Sequence, residues 1–363
     1  MKKTPLYSCH VALKAKMAEF AGYDMPIQYP EGVMAEHHWT RAHAGIFDVS
    51  HMGQWIVEGS DASKLFEHLT PSSFSNVPLG TAKYTVLMNA QGGIIDDMIV
   101  TRVAEDRFFV VVNAGCKDKD LAWVQSHLTP NVRLRVLDEQ ALIAVQGPKA
   151  EQVMREALDI DTSSLSYMRW MDYGRCMISR LGYTGEDGFE ISMPAEDSEI
   201  AWNRLLSHPE VKPIGLGARD SLRLEMGYPL YGHDIDDTTS PLEARIGWIM
   251  GKRQDTDFVG GTRLAQEKSS GLKRARAGFI LTAPGVAREG TEIFSEDGQT
   301  KVGIITSGGF SPTLNAAIAM GYINTEFAKD GTGILARVRG RDIPARVTAL
   351  PFVHPKTKIS PKS

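Results

Sequence analysis

Cysteine is scarce: Cys9, Cys116 and Cys176 are the only three in 363 residues. No two form a C-x-x-C pair, and an odd number cannot complete a disulfide framework. A reducing, intracellular location is expected: the cytoplasm of a bacterial-style protein, or an organelle once a leader has been removed. Long apolar runs are also missing. No stretch reaches the ~20 apolar residues that span a bilayer. The N-terminus, MKKTPLYSCH, has two lysines but no apolar signal-peptide core. No membrane association is expected. Charge excess is absent: 40 Lys and Arg stand against 44 Asp and Glu, a net charge of -4. That balance lacks the basic footprint of a nucleic-acid binder. The histidines of EHHWTRAH are not spaced as H-E-x-x-H, and no cysteine or acidic set completes a tetrahedral site, so no metal is expected. GLGARD does not make a full G-x-G-x-x-G, which excludes a dinucleotide fold.

What is present is ordinary for a globular chain: 42% hydrophobic and 23% charged residues. The length predicts about two or three domains. Glu36–Ala44 has helical character, and residues 54–57 read as a strand. Asp61–Leu69 reads as a helix that Ser60 or Asp61 would cap. The apolar runs Tyr84–Asn89 and Ile94–Arg102, joined by Ala90-Gln91-Gly92-Gly93, predict a hairpin. Arg107–Asn113 is the clearest strand, and Asp118–Leu128 has helical spacing. Cys176–Arg180 and Phe189–Met193 read as strands around a Gly182–Gly188 loop, before a helix at Asp197–Leu206. The two helices share Ala122-Trp123 and Ala201-Trp202. A duplicated pair of α+β halves would produce this echo, and so would chance. The polar stretch 254–272 reads as an interdomain connection with one short helix. Beyond it, Ala277–Leu281, Val302–Ser307, Ile318–Ile323 and Leu335–Val338 predict a small barrel or sandwich. The fold class is therefore α+β, followed by an all-β domain.

Four features are candidates for chemistry. Asp96-Asp97 lies just past a glycine turn, and strand alternation lets only one of the pair enter a given cavity. A carboxylate among Ile94, Ile95, Met98 and Ile99 would be desolvated, as a general acid or base often is. Two ordinary aspartates at a strand start would look the same. Glu190, between Phe189 and Ile191, needs a partner if buried. That partner is Arg219, or a ligand with two parallel N–H donors, such as a 2-amino-4-oxo pterin ring. Failing both, the residue lies on a solvated face. His51 lines a pocket or caps local backbone. Arg337, Arg339 and Arg341 alternate, so on one strand all three would share a face, either solvated or turned to an acidic partner.

Taken in order, longer motifs carry a resemblance. They include FAGYDMPIQY at 20–29, GIFDVSHMG at 45–53, NAQGGIIDDMIV at 89–100 and VVNAG at 111–115. GYTGEDGFEIS at 182–192, GLGARDSLRLEMGYPLYGHDI at 215–235, SPLEARIGW at 240–248 and TSGGFSPTLNAAIAMGYI at 306–323 continue the series. From about residue 4 to 354 the chain resembles the aminomethyltransferase, or T protein, of the glycine cleavage system.

The resemblance implies a three-domain folate-binding aminomethyltransferase fold around a central folate channel. Residues 1–52 with 140–255 would form a discontinuous first α+β domain, 53–139 the second, and 273–355 a C-terminal β-barrel. It implies an enzyme of glycine catabolism and one-carbon metabolism. Such an enzyme moves the one-carbon unit from the aminomethyl-lipoyl arm of the H protein to tetrahydrofolate, its co-substrate, and releases ammonia. By the same resemblance Asp97 is the catalytic carboxylate. Glu190 contacts the pterin and Arg219 the folate, while Tyr84, Asn113 and Met52 line the channel. Arg288 would meet the folate's glutamyl carboxylates or pack the barrel, and no site is assigned in the tail PFVHPKTKIS. The alternatives are a related folate-dependent demethylase or a non-catalytic folate-binding protein. An iron–sulfur assembly relative would carry a K-G-C-Y-x-G-Q-like motif, and none of the three cysteines lies in one.

Overall fold

A computed structural model describes residues 1–358. Two bodies of secondary structure are built in turn. The first 260 residues supply an eleven-stranded sheet with helices packed on it, and residues 274–348 close a six-stranded barrel.

The large sheet has two flanks. One contains Gly53–Glu58, Thr81–Met88, Ile94–Ala104, Arg107–Val112 and Arg133–Val136. The other contains Ala44–Asp48, Gln140–Gln146, Arg169–Tyr173, Cys176–Arg180, Gly188–Pro194 and Val211–Pro213. They join where Thr81 meets Arg169 across one antiparallel step. Each flank has its own core. In the first, the helix Ala62–Leu69 buries Ala62, Leu65, Phe66 and Leu69, the i, i+3, i+4, i+7 face of an amphipathic helix. That face packs with Trp55, Phe74 and Phe108. In the second, Phe189, Ile191 and Met193 alternate into a core with Trp202, Val153 and Met154. Alternation then sends Glu190 and Ser192 to the other face.

The hairpin of Thr81–Met88 and Ile94–Ala104 turns at the predicted glycines. Asn89 ties the turn down: its Oδ1 accepts the Gly93 N–H at 2.9 Å, and its Nδ2 donates to the Asp237 carbonyl at 2.8 Å. A Cβ on Gly93 would lie 1.8 Å from that carbonyl oxygen, so only glycine admits the crossing segment. This clamp fixes the start of the strand that carries Asp96 and Asp97.

In the barrel, the strands run in the order Arg274–Leu281, Ala316–Asn324, Lys301–Ser311, Glu292–Ser295, Gly333–Val338 and Arg341–Thr348, and close on the first. Phe279, Ile293, Ile305, Ile323 and Val347 fill the interior. The connection before it holds one helix, Gly261–Ser270.

Barrel and sheet are joined by a buried polar knot. Glu225, on the helix Leu216–Glu225, accepts from Arg41 Nη2 at 2.7 Å, Ser311 Oγ at 2.6 Å and Thr313 Oγ1 at 2.8 Å. His37 Nε2 lies 3.3 Å from the same carboxylate. The EHHWTRAH segment thus serves packing. These donors hold Glu225 well below the usual carboxylate range, at about 2, against the opposing effect of burial.

Two local expectations are corrected. Asp61 precedes its helix but makes no side-chain cap; it takes Lys64 at 2.9 Å and Asn131 at 2.9 Å instead. The arginine stripe does not exist as one face. Gly333–Val338 pairs with Arg341–Thr348, and Arg339 and Gly340 form the turn between them, both at positive φ. Arg337 then faces Asp342 and lies over the Phe294 ring.

Candidate functional site

A cavity of ≈ 1140 Å³ opens where the two sheet flanks, the helix Leu216–Glu225 and the barrel-side segment meet. Its wall includes Asp97, Glu190, Arg219, Tyr84, Asn113 and Met52, six of the residues picked out in the sequence. Arg288 is absent from that wall; it is exposed and donates to the Gly308 carbonyl at 3.0 Å.

Asp97 owes its place to register. Met98 pairs with Val112, so Asn113 emerges beside Asp97 at the strand end. Asn113 Nδ2 donates to Asp97 Oδ1 at 2.8 Å and to Asp96 Oδ1 at 2.9 Å, and the Asn113 N–H donates to Asp96 Oδ2 at 3.1 Å. Asp96 is fully buried on the opposite side of the strand and is not part of the wall. Burial, and then the neighbouring Asp96, raise Asp97 to about 7, against the lowering effect of Tyr84 and Asn113. A side chain so poised exchanges a proton near neutral pH or carries a charge that a cation would stabilise.

Glu190 comes from the strand Gly188–Pro194, opposite Ala144 and Ser179. It is buried, and no hydrogen bond or ion pair to it is found among the described residues. Arg219 is the nearby cation, but the two do not reach each other. Burial raises Glu190 to about 7, and Arg219 only partly offsets this. Arg219 is itself lowered, by burial first. Its Nη1 is buried without a partner among the described residues, and its guanidinium lies 4.9 Å from the Tyr183 ring centroid. A carboxylate and a guanidinium that face the same cavity with capacity unspent form a cradle for a polar ligand.

Two stacked aromatic pairs complete the wall. Tyr84 and Trp248 lie 5.8 Å apart at 25°, and Tyr183 and Tyr228 lie 5.7 Å apart at 22°. His51 is also in the wall, lowered to about 4 by burial. Leu350 and Pro351 bring the C-terminal segment to the cavity, where the sequence prompted no site. The sequence alone does not single out Tyr183, Tyr228 or Trp248. Tyr183 and Trp248 sit in GYTGEDGFEIS and at the end of SPLEARIGW, yet a lone aromatic in a loop is equally a packing residue until its partner is seen.

Comparison with known proteins identifies the family. The GCVT N-terminal domain family matches residues 6–254, and the glycine cleavage T-protein C-terminal barrel domain family matches 274–354. A probable mitochondrial aminomethyltransferase of Schizosaccharomyces pombe is 44% identical over 98% of this chain and 93% of its own. The Flavobacterium psychrophilum aminomethyltransferase is 42% identical over 97% and 99%. The crystal structure of glycine cleavage system aminomethyltransferase T from Bartonella henselae superposes with a TM-score of 0.95 at 37% identity, over 98% of this chain and 99% of that one. Fold, cavity and kinship together place the chain in the aminomethyltransferase, or T-protein, family of the glycine cleavage system.

Proposed function

We propose that the cavity seats the pterin of tetrahydrofolate with its pyrimidine edge on Glu190 and its nucleophilic N5 beside Asp97. The activity is that of the family: the protein is a tetrahydrofolate-dependent aminomethyltransferase of the glycine cleavage system. The one-carbon unit arrives as S–CH2–NH2 and leaves as the methylene bridge between N5 and N10. Two C-heteroatom bonds break and two form. The protons shed by N5 and N10 balance those gained by the departing ammonia and thiol.

The observation that carries the placement is the unsatisfied Glu190. A largely buried carboxylate that opens on the cavity with no protein donor among the described residues is costly, and a pterin edge supplies two parallel N–H groups. Such a pair would restore the charged form of Glu190. Arg219, with Nη1 free, would take a carbonyl or carboxylate oxygen of the same ligand. Tyr84, Met52 and the stacked tyrosines would flank the ring.

Asp97 has an electrostatic and orienting role before an acid–base one. Loss of ammonia leaves a positive, iminium-like carbon, and a fixed carboxylate beside it stabilises that charge. Asn113 keeps the carboxylate turned toward the cavity. Holding N5 against the carbon is itself a large part of the acceleration.

The carrier of the aminomethyl group would be the lipoylated H protein, its arm entering past the cavity rim. We read residues 1–52 with 140–255, 53–139 and 273–355 as the three domains, with the cavity at their meeting point. A cytoplasmic location fits three cysteines that are all unpaired. No helix among the described residues is long and apolar enough to cross a membrane.

The test is release of ammonia from aminomethylated H protein with and without tetrahydrofolate. Release that depends on tetrahydrofolate and yields a stoichiometric methylene product supports the proposal. Release that ignores the folate contradicts it.

A further inference from the structure

Behind Asp97, away from the cavity, lies a group the reaction scheme does not use. Asp120, in the first turn of the helix Lys117–Gln125, is fully buried, and among the described residues neither carboxylate oxygen has a hydrogen-bond donor. One oxygen of Asp120, one of Asp96 and the Cys116 sulfur lie within 4.8 Å of one another. Two carboxylates this close cannot both be charged at low cost. Asp96 has a role for its charge: its two oxygens accept the N–H and the Nδ2 of Asn113. Asp120 has none, so the proton belongs to Asp120.

We infer that Asp120 is a positioning residue: as the neutral acid it donates its O–H to Asp96, and the pair, carrying one negative charge, fixes Asn113 in the orientation that holds Asp97. The inference rests on the role proposed for Asp97. The groups around the cluster favour it on balance, burial most of all. On the strand Ile94–Ala104, Asp96 and Asp97 both push Asp120 up. On the helix, Lys119 pulls the other way, but its Nζ is already engaged by Tyr231 Oη at 2.6 Å and the Ile95 carbonyl at 2.5 Å. Burial drives the result, raising Asp120 far above the carboxylate range. Cys116, at the helix start, is raised as well and stays a thiol. A protonated thiol and a protonated Asp120 make a poor cation site.

The arrangement differs from ordinary helix packing in one respect: its donor can be replaced. Asp120→Leu removes the donor, and Asp120→Asn returns one to Asp96. We expect Asp120→Leu to lower kcat about tenfold with KM for tetrahydrofolate changed less than about twofold, because orientation rather than binding is lost. Asp120→Asn should recover most of that loss. Equal losses in the two variants would overturn the inference.

The second measurement does not depend on Asp97 catalysis. In full-length protein labelled at the aspartate Cγ, carbon NMR at about pH 9, above the titration of Asp97, should show one protonated carboxyl. Asp120→Asn should abolish that signal and Asp97→Asn should leave it. No protonated aspartate, or a signal that survives Asp120→Asn, would overturn the inference. So would a stoichiometric metal ion, measured by elemental analysis of the purified protein, that disappears in Asp120→Asn. A normal spectrum with unaffected kcat in Asp97→Asn would instead fault the proposed role of Asp97.

Discussion

Asn113 donates to Asp97 at 2.8 Å while the same nitrogen donates to Asp96 at 2.9 Å, so one amide binds the cavity carboxylate to the buried one. The pair of aspartates is therefore divided by strand alternation and rejoined by the neighbouring strand. Asp97 presents charge to the cavity, and Asp96 anchors the residue that aims it.

The first prediction concerns that charge. Asp97→Asn keeps the shape and the contact with Asn113 but removes the negative charge. Transfer, followed as ammonia release, should fall by about 10²–10³-fold, the scale of one lost electrostatic contact to a developing charge. Tetrahydrofolate affinity should change little. Unchanged turnover would remove Asp97 from the chemistry.

Glu190 predicts a binding effect. Glu190→Ala should weaken tetrahydrofolate binding by about 1–3 kcal/mol, because the ring's N–H donors then lose a charged acceptor. Calorimetric titration reads this directly. Equal affinity in wild type and variant would reject the pterin placement on Glu190.

The same carboxylate makes stability depend on pH. Its folded value is about 7, raised from 4.5, so between those limits the native state keeps a proton that the unfolded chain has shed. The ligand-free protein must lose stability as pH rises through that window, with the full penalty present above about pH 7. Glu190→Gln should therefore raise Tm by a few degrees at about pH 8 and scarcely at about pH 4. Melting curves showing a larger gain at the acid end would contradict the assignment.

Glu225 predicts the opposite sign. Its value is depressed to about 2 by His37, Ser311 and Arg41, so its contribution is intact above about 4.5 and is lost as pH falls toward 2. Glu225→Leu leaves Arg41 and His37 without their shared acceptor in the sheet–barrel junction. Denaturant unfolding should show a loss of about 3–5 kcal/mol, as for a broken buried ion pair. A loss below about 1 kcal/mol would mean the knot contributes little.

Much of this arrangement was legible in the residues. The glycine turn before Asp96, the alternation around Glu190 and the closely spaced strands after residue 272 are local patterns with local causes. What escaped is non-local. The arginines of 337–341 alternate as a strand would, but Arg339 and Gly340 take positive φ and turn the chain, and the rest of the stripe turns with them. Asp120 reads as an ordinary acid in a helix first turn. Only the packing of that helix against Ile94–Ala104 buries it beside Asp96. The strand-to-strand join of the two sheet flanks is the pairing of Arg169 with Thr81, 88 residues apart, which no periodicity announces. Trp248 and Tyr84 are separated by more of the chain still, yet they stack.

The most direct test of the central claim is a crystal structure with tetrahydrofolate bound. It should show the pterin in the cavity, its 2-amino pyrimidine edge hydrogen-bonded to Glu190 and N5 within contact of the Asp97 carboxylate. A ring seated outside the cavity, or N5 turned away with Asp97 out of reach, would contradict it.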